Sequence, residues 1–369
     1  MTRATASRAG VRADPRLPSL CVVNYNGASH LRTVLPPLRE RAGAFGDVVL
    51  VDDASNDDSV ATAERLWPGL RILRHERNRG PGAARNTGAA ALRGRRILFL
   101  DNDVAPDPGC LDRLTSALDQ DAGAVLAMPR VVYASEPGRI QFEGAEAHPS
   151  GTQTLCEAER PVAEAGVGPA RRVTSMISAC FLLDRDRWGE APLFDERLHV
   201  FFEDHELGLR ASLRGLGLLA VPAATCRHGD GTPGLSVRRT GRATPRRVHG
   251  TVLNRWQILL KLYQGRTLAL LAPSLLLFEL FQLIGGIAVG WLPPWLRALA
   301  DLGRLAPDLL RRRRAFRRFR VVPDRAVLRP GPHPFSASLA RRLPVRALRP
   351  VLDAAAAANW AVARPFLKR

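Results

Sequence analysis

The chain has 369 residues, of which 54 are Lys or Arg and 35 are Asp or Glu, and its formal net charge is +19. Residues 1–237 carry 28 basic and 30 acidic side chains, whereas residues 238–369 carry 26 basic and 5 acidic ones. This distribution excludes a uniformly basic, histone-like protein, and the 46% hydrophobic content excludes global disorder. It indicates a near-neutral body followed by a cationic region that meets an anionic partner.

The N-terminal segment, residues 1–18, is rich in Arg and Ala and has no apolar stretch. It is predicted to be a disordered leader rather than a signal peptide. The five cysteines are widely spaced and form no CxxC pair, which is typical of a protein of the reducing cytosol.

Short apolar runs alternate with helical patterns over the next 110 residues or so. Strands are predicted at Leu20–Asn24, Asp47–Val51, Arg71–Leu73, Arg96–Leu100 and Ala124–Met128. Helices are predicted at His30–Arg41, Ser59–Leu66, Gly82–Arg93 and Cys110–Leu118. This alternation predicts an α/β fold with a mostly parallel sheet flanked by helices.

The alternation of strand and helix patterns becomes less regular after Pro129. Tyr133–Gly168 is rich in Gly and Glu and is predicted to be irregular, and an apolar stretch follows at Ser175–Asp184. Phe194–Arg214 reads as an acidic turn leading into a helix, and Leu216–Val221 as a strand. The composition changes abruptly near residue 238, where a domain boundary is predicted.

Polar clusters follow three of the predicted strands, at Asn24–Gly27, Asp52–Asp58 and Asp101–Asp103. In open α/β sheets, ligands bind outside the carboxyl ends of the strands. Asp101 and Asp103 form a pair that can hold a hard divalent cation, which in turn neutralises a diphosphate. A solvated turn is the alternative, but the four apolar residues before the pair favour the metal site.

Four further features have both an ordinary and a functional interpretation. Asp52 and Asp53 form either an Asx-type turn or a contact to a base or ribose, with equal weight. The Gly-containing loop at 78–88 is an ordinary helix start or an anion site, and by itself it favours the former. Glu203 and Asp204 complement a helix terminus or include a general base. His228 is structural, or it completes the metal site.

Six motifs in this order resemble the family-2 inverting glycosyltransferases with a GT-A nucleotide-sugar fold, particularly the bacterial rhamnosyl- and galactofuranosyltransferase-like branch. The resemblance covers roughly residues 19–260. The motifs are VVNYNG (22–27), VDDASNDDS (51–59), NRGPGAARNTG (78–88), LDNDV (100–104), FFEDHELGLR (201–210) and His228.

The resemblance implies roles for individual residues. Asp204, paired with Glu203, would be the catalytic base, and Asp101, Asp103 and His228 would hold Mg²⁺ or Mn²⁺. The implied nucleotide-sugar-binding residues are Val23, Asn24, Tyr25, Asn26, Asp52, Asp53, Arg77, Asn78, Arg85, Asn86, Asp101, Asn102 and Arg210. The acidic helix departs from the family's commoner Asp-x-Asp-Leu, which leaves the role of Glu206 open.

The implied reaction moves a sugar from a UDP-, dTDP- or GDP-linked donor to a hydroxyl of a cell-envelope or lipid-linked saccharide acceptor. Asp204 would deprotonate the acceptor hydroxyl, and one displacement would invert the anomeric configuration. An inactive GT-A scaffold is disfavoured because Asp101, Asp103 and Asp204 are all present.

The cationic third contains an apolar segment, Leu268–Leu292, which is long enough to cross a membrane. Glu279 lies within it, so an interfacial or re-entrant segment is favoured over a single span, and a span over a buried core helix. Arg304–Arg320 is polybasic, and Ala354–Trp360 with Phe366 is predicted to be a second interfacial helix.

The apolar segment favours an anionic membrane over nucleic acid as the partner of the basic region, so no nucleic-acid partner is predicted. A nucleic-acid-binding protein with an α/β body remains the alternative, although it leaves the acidic strand ends unexplained. The predicted location is the cytoplasmic face of the cell membrane. The predicted units are the GT-A catalytic domain (19–237), a basic linker and exit helix (238–267) and a membrane-associating region (268–369).

Overall fold

The structure is a computed structural model that describes residues 14–229, 231, 243–287, 289–335 and 343–368. Most of the predicted leader, residues 1–13, and the predicted boundary within 232–242 lie outside the described residues. The end of the leader joins the body, because Asp14 donates its backbone N–H to the carbonyl of Gly46 at 3.1 Å.

The first hundred residues form the predicted βαβ units. The strands are β1 (Ser19–Asn24), β2 (Asp47–Asp52), β3 (Arg71–Arg74) and β4 (Arg96–Asp101). The connecting helices are α1 (Ala28–Glu40), α2 (Ser59–Leu66) and α3 (Pro81–Ala91). The four strands are parallel and lie in the spatial order β4-β1-β2-β3.

The strand register brings the polar ends together. Asn24 pairs with Asp52 across β1 and β2, and Val23 pairs with Asp101 across β1 and β4. Along β1, Leu20 and Val22 enter the core on one face of the sheet, and Cys21 and Val23 enter the core on the other. Both faces are therefore covered, and the carboxyl edge is left for ligands.

The second half of the sheet is mixed rather than parallel. Its strands are β5 (Val104–Pro106), β6 (Ala124–Tyr133), β7 (Ile140–Phe142), β10 (Arg171–Val173), β11 (Cys180–Asp184) and β12 (Gly217–His228). The spatial order continues as β10-β12-β6-β11-β4, with β11 antiparallel to both of its neighbours. Helices α4 (Cys110–Gln120), α6 (Arg185–Trp188) and α7 (Glu203–Leu213) connect these strands.

The region Tyr133–Gly168 is more regular than predicted. Besides β7 it contains the antiparallel pair β8 (Ala145–Ala147) and β9 (Gln153–Leu155) and the short helix α5 (Val162–Ala165). The prediction of irregular structure was wrong here because three-residue strands are too short to show an alternating pattern.

Helices form the C-terminal part of the described chain. They are α8 (Pro245–Leu262), α9 (Gly265–Ile287), α10 (Leu292–Arg317), α11 (Asp324–Val327) and α12 (Leu343–Ala363). Helix α8 packs on α7 and against α10, and α12 packs along α9. A separate apolar cluster joins this layer to the body through Leu209 and Leu213 of α7 and Ile258 and Leu259 of α8.

The charge within the apolar helix α9 is neutralised inside the protein. Glu279 forms an ion pair with Arg255 of α8, and the Arg255 side chain is only 3% exposed. Arg255 Nε also donates to the Ser150 carbonyl at 2.6 Å, and its guanidinium lies 4.7 Å from the centre of the Phe278 ring. Glu279 therefore faces the body, and the ion pair attaches α9 to α8.

We expect Arg255→Ala to lower the free energy of unfolding by about 3–5 kcal/mol, because it leaves the Glu279 carboxylate without its partner in a buried position. Arg304→Ala is the control, since the Arg304 side chain is 76% exposed and its pair with Asp301 contributes at most about 1 kcal/mol. Urea unfolding measures both; equal losses in the two variants would contradict the anchoring role of Arg255.

Candidate active site

Two carboxylates and one imidazole meet at the carboxyl edge of the sheet. The ligand atoms of Asp101, Asp103 and His228 all lie within 4.8 Å of one another, and His228 Nε2 is 3.3 Å from Asp103 Oδ1. Asp103 and His228 are buried, whereas Asp101 is partly exposed. Oxygen ligands with one imidazole suit Mg²⁺ or Mn²⁺.

Pairing of β5 with β12 brings His228 to the acidic pair. His228 lies opposite Val104 in the ladder, one residue after Asp103, and Gly229 donates its N–H to the Asp103 carbonyl at 2.8 Å. A Cβ atom at Gly229 would lie 3.2 Å from the Asp103 Cβ, so glycine permits this close approach.

The surroundings of His228 prepare its Nε2 atom to act as a ligand. Its Nδ1 lies 2.7 Å from Gln141 Oε1, an acceptor, which places the ring proton on Nδ1. Among the described residues, Nε2 is buried and has no hydrogen-bond partner. A lone pair facing carboxylates is unfavourable unless a cation lies between them, so the residues fit a divalent metal.

A buried arginine connects this cluster to a second pair of carboxylates. Arg85, on α3, is 1% exposed and bonds to Asp101, and it also donates to the Ser178 carbonyl at 3.0 Å. Its Nη1 lies 3.9 Å from Glu203 Oε1, and its guanidinium lies 5.3 Å from the centre of the Phe194 ring. The Asp101 and Glu203 carboxylates therefore share the positive charge of Arg85.

Glu203 and Asp204 begin α7 beside Arg85. Burial, reinforced for Glu203 by the neighbouring Asp204 charge, raises the pKa of Glu203 to about 8. Burial also raises the pKa of Asp204 to about 6, against the opposing effect of the His205 N–H that it accepts at 2.7 Å. Asp204 thus ionises first, as a general base working near neutral pH requires.

The loop before α7 is strained and is held from both sides. His199, Phe201 and Phe202 all have positive φ angles, between 55° and 72°. Asn254 of α8, which is buried, donates from Nδ2 to the carbonyls of Leu198, Val200 and Phe201 at 2.7–3.0 Å. On the opposite side Gly80, with a φ of 89°, lies so close that a Cβ atom there would be 2.0 Å from the His199 carbonyl oxygen.

The predicted nucleotide-binding residues at the ends of β1, β2 and β4 form one hydrogen-bond network. Asn102 donates to Asn24 at 2.8 Å, and Asn24 donates to the Ser55 hydroxyl at 3.2 Å. The Asn26 N–H donates to the same hydroxyl at 2.8 Å, and the Ser55 N–H donates to Asp52 at 3.0 Å. Asp52 thus forms the anticipated local turn, and the network places the three strand ends in one wall.

Asp53 organises the neighbouring loop. Its buried carboxylate contacts His75 Nδ1 at 2.7 Å and accepts the N–H groups of Arg79 at 2.8 Å and Gly80 at 2.7 Å. Asn78 also donates to the Asp53 carbonyl at 3.3 Å. Both carboxylate oxygens of Asp53 therefore have hydrogen-bond partners within the protein. Asp53 holds the adjacent loop in place.

Some of the other residues predicted to bind the donor lie at the carboxyl edge of the sheet, and others lie behind Arg85. Val23 is buried in β1, Tyr25 is partly exposed, and Arg77 is exposed. Asn86 bonds to the Phe194 backbone and to Glu196 at 2.9–3.0 Å, which fixes the segment behind Arg85.

Arg210 is not brought to the metal-type cluster. It pairs with Glu206 at 2.9 Å and donates to the carbonyls of Pro192 and Leu193. Glu206 is buried and also accepts from Lys261 of α8 at 2.7 Å. Burial opposes its ionisation, but Arg210 and Lys261 prevail and lower the pKa of Glu206. Glu206 therefore anchors α7 to α8.

Residues 19–168 match the family model "Glycosyl transferase family 2". The chain is 37% identical over 119 residues to succinoglycan biosynthesis protein ExoO of Rhizobium meliloti, covering 32% of this chain and 34% of that protein. It is 30% identical over 287 residues to a pre-mycofactocin glycosyltransferase of Mycobacterium tuberculosis, covering 66% and 54%. The chain thus spans about half or less of these two relatives.

A third relative is covered over most of its length. It is the N-acetylglucosaminyl-diphospho-decaprenol L-rhamnosyltransferase of Mycobacterium tuberculosis, which is 26% identical over 231 residues, covering 56% of this chain and 74% of that protein.

Solved glycosyltransferase structures share the fold. GalNAc-T7 with UDP, GalNAc and Mn²⁺ has a TM-score of 0.53 and 18% identity, covering 71% of this chain and 51% of that chain. S. aureus TarS 1-349 in complex with UDP-GlcNAc has a TM-score of 0.50 and 16% identity, covering 94% and 89%. The family-model match over residues 19–168, the glycosyltransferase relatives and these structural neighbours together show that the chain is similar to family 2 glycosyltransferases and shares the GT-A fold.

Proposed function

We propose that the protein is a metal-dependent, inverting glycosyltransferase that uses a nucleoside-diphosphate sugar. One observation carries the proposal: the Asp101–Asp103–His228 cluster lies next to the Glu203–Asp204 pair, with Arg85 between them. A leaving diphosphate and an attacking hydroxyl need these two centres on opposite sides of one anomeric carbon. We also propose that residues 19–237 form the catalytic domain.

Asp101, Asp103 and His228 would hold Mg²⁺ or Mn²⁺. When bound, such a cation supplies positive charge to the diphosphate of the donor. The Mn²⁺ and UDP in the GalNAc-T7 structure support this assignment. Gln141 fixes the His228 ring, and Arg85 fixes the Asp101 carboxylate.

The wall formed by Asn24, Asn26, Asp52 and Asn102 would receive the nucleoside, with Tyr25 at its partly exposed edge. We expect the base to be that of a UDP-, dTDP- or GDP-linked sugar. The UDP-GlcNAc bound to TarS supports a nucleotide-sugar donor in general.

Asp204 would take the proton from the acceptor hydroxyl, whose oxygen then attacks the anomeric carbon opposite the diphosphate. Because this is a single displacement, the configuration inverts. Glu203, with the higher pKa of the pair, stays protonated longer, which limits the negative charge beside Asp204.

The acceptor would be a hydroxyl of a cell-envelope or lipid-linked saccharide, handled at the cytoplasmic face of the membrane. The names of the succinoglycan and decaprenol-linked relatives support this class of acceptor. The apolar helix α9, by length and composition the one candidate span within the described residues, supports association with the membrane.

The function is tested by incubating the purified chain with Mn²⁺ and a panel of UDP-, dTDP- and GDP-sugars. We expect release of a nucleoside diphosphate from one donor class, together with a rise in Tm for that class. Absence of both responses across the panel would overturn the proposed donor chemistry.

We expect Asp103→Ala to abolish Mn²⁺ binding, because it removes the carboxylate that lies 3.3 Å from His228 Nε2 in the cluster. Calorimetry with Mn²⁺ alone measures this without any donor. Asp107→Ala is the matched control: Asp107 lies at the other end of β5 and pairs with Arg227 at 3.2 Å, so binding should be retained. Unchanged Mn²⁺ affinity in Asp103→Ala would refute the metal assignment.

We expect Asp204→Asn to lower kcat by about 10²–10⁴-fold while leaving the donor Kd unchanged, because it removes the base but conserves the shape of the side chain. The exposed Asp186→Asn is the control and should transfer normally. In the wild type, kcat/KM should fall as the pH drops through about 6, since the base is then protonated. A pH-independent profile from 5 to 8 or so would contradict the role of Asp204.

We expect Asn254→Ala to lower kcat more than it changes the donor Kd, because the loop before Asp204 loses the donor to three of its carbonyls. The loss of stability should be about 1–3 kcal/mol. Asn359→Ala is the matched control, since Asn359 also donates from its side chain to a backbone carbonyl, that of Leu270, but does so in the helical layer. If both variants reduce kcat equally after correction for the folded fraction, Asn254 has no specific positioning role.

A further inference from the structure

Helix α9 presents an apolar surface to the outside of the molecule. Residues 267–287 are all described, and the exposed positions among them are without exception apolar. They recur with helical spacing at Ala269, Pro273, Leu276, Leu277, Leu280, Ile284 and Ile287. Leu276 is 66% exposed and Ile287 is 58% exposed. A helix on the surface of a soluble protein normally turns charged and polar side chains outward.

The inner face of α9 is already occupied by the protein. Leu271, Leu275 and Phe278 are buried in the helical layer, and Glu279 pairs with Arg255. The helix is therefore apolar on both faces, but the body covers one face only. The protein interior covers the inner face of α9, and the composition of the outer face is that of a surface that contacts another apolar environment.

Helix α12 extends this surface. It packs along α9, with Asn359 donating to the Leu270 carbonyl at 3.0 Å. Its exposed side chains include Val351 at 66% and Val362 at 69%, and Phe366, just beyond the helix, is 57% exposed. We call the exposed apolar side chains of 269–287 and 348–366 the docking surface.

Cationic side chains border the docking surface. Arg266 lies in the first turn of α9 and Arg297 lies near the start of α10, and Arg346 and Arg364 lie on either side of the exposed apolar stretch of α12; all four are exposed. Apolar side chains with arginines at the margin match the interface of a bilayer, where acyl chains meet anionic headgroups. Nucleic acid would match the arginines but not the row of Leu and Ile between them.

Both ends of α9 remain in contact with the body. Its first residue follows α8 by two residues, and after its last residue Trp291 and Trp295 pack in a cluster with Val248 and Val252 of α8. Helix α10 then returns along α8, and its Arg312 bonds to Asp195 of the body at 2.8 Å. Because the body accompanies α9 at both ends and also at Glu279, these contacts favour an orientation in the plane of the interface over a span.

We propose that the docking surface lies flat on an anionic lipid bilayer, with α9 in the plane of the interface rather than across it. This extends the proposed function, since it places the enzyme where a lipid-linked acceptor resides. It does not depend on sugar transfer, and the experiments below contain no donor, so their failure is distinguishable from failure of the proposed reaction.

The first experiment is sedimentation of the full chain with vesicles of phosphatidylcholine containing 30% or so phosphatidylglycerol, and with phosphatidylcholine alone. We expect binding to the anionic vesicles and at least about tenfold weaker binding of the Leu280→Asp/Ile284→Asp double variant. Val167→Asp is the control, because Val167 is 75% exposed on the catalytic body, and it should bind as the wild type does. A Tm measurement confirms that each variant is folded.

Three results would overturn the assignment of this surface. They are equal vesicle binding by the double variant, no binding by the wild type, and self-association of the wild type that the double variant abolishes while vesicles have no effect. The third result would make the surface an interface between copies of the chain.

The second experiment tests the orientation. Gly303 lies on α10 with open space around its Cα, so Gly303→Cys in a Cys156→Ser background places a thiol beyond α9 without a clash. With the protein bound to preformed vesicles, a membrane-impermeant maleimide added outside should label this thiol as fast as it does without vesicles. Protection of the thiol by vesicles would overturn the in-plane orientation and indicate a span.

Discussion

The site depends on the arrangement of negative charge around one buried arginine. Asp101 and Glu203 both contact the Arg85 guanidinium, and Asp103 and Asp204 lie beside them in the chain. Burial is the main cause of the raised pKa values of Glu203 and Asp204; the Asp101 charge adds to it, and Arg85 opposes it. On the proposed function, Asp101 and Asp103 would attract a divalent cation and Asp204 would act as a base near neutral pH. Both properties would then depend on the same arrangement of charge around Arg85.

The sequence predicts those parts of the site that local patterns determine. Apolar runs followed by Asn24, Asp52 and Asp101 locate three strand ends, and parallel pairing brings them together. The helix predicted at His30–Arg41 forms as α1, although Pro36 and Pro37 lie inside it. In contrast, the contacts of Gln141 with His228 and of Asn254 with the 198–201 backbone join residues more than 50 positions apart. No local period encodes such contacts, so neither residue was anticipated. Arg210 was expected near the donor because it shares a motif with Asp204, but its position on α7 directs it to Pro192 and Leu193.

The net charge of the C-terminal third also combines two different uses of arginine. Arg255, Arg312 and Arg320 bond to carboxylates of the protein and hold the helical layer together. Arg311, Arg314, Arg317 and Arg318 are exposed on or just after α10. The amino-acid composition does not distinguish these two sets of arginines. The burial of each side chain in the structure does: the buried arginines stabilise the fold, and the exposed ones can face a partner.

Asn254 and Arg255 are consecutive residues of α8 that point to different parts of the molecule. Asn254 holds the backbone just before Glu203 and Asp204, and Arg255 holds α9. Because adjacent residues of a helix hold a fixed position relative to each other, the fold sets the distance between Asp204 and the docking surface. An enzyme resting on a bilayer in this way acts as a gauge: it reaches a hydroxyl only when the acceptor holds that hydroxyl at the matching distance from its lipid. On the proposed function, acceptor selection would then depend on the length of the saccharide as well as on its chemistry.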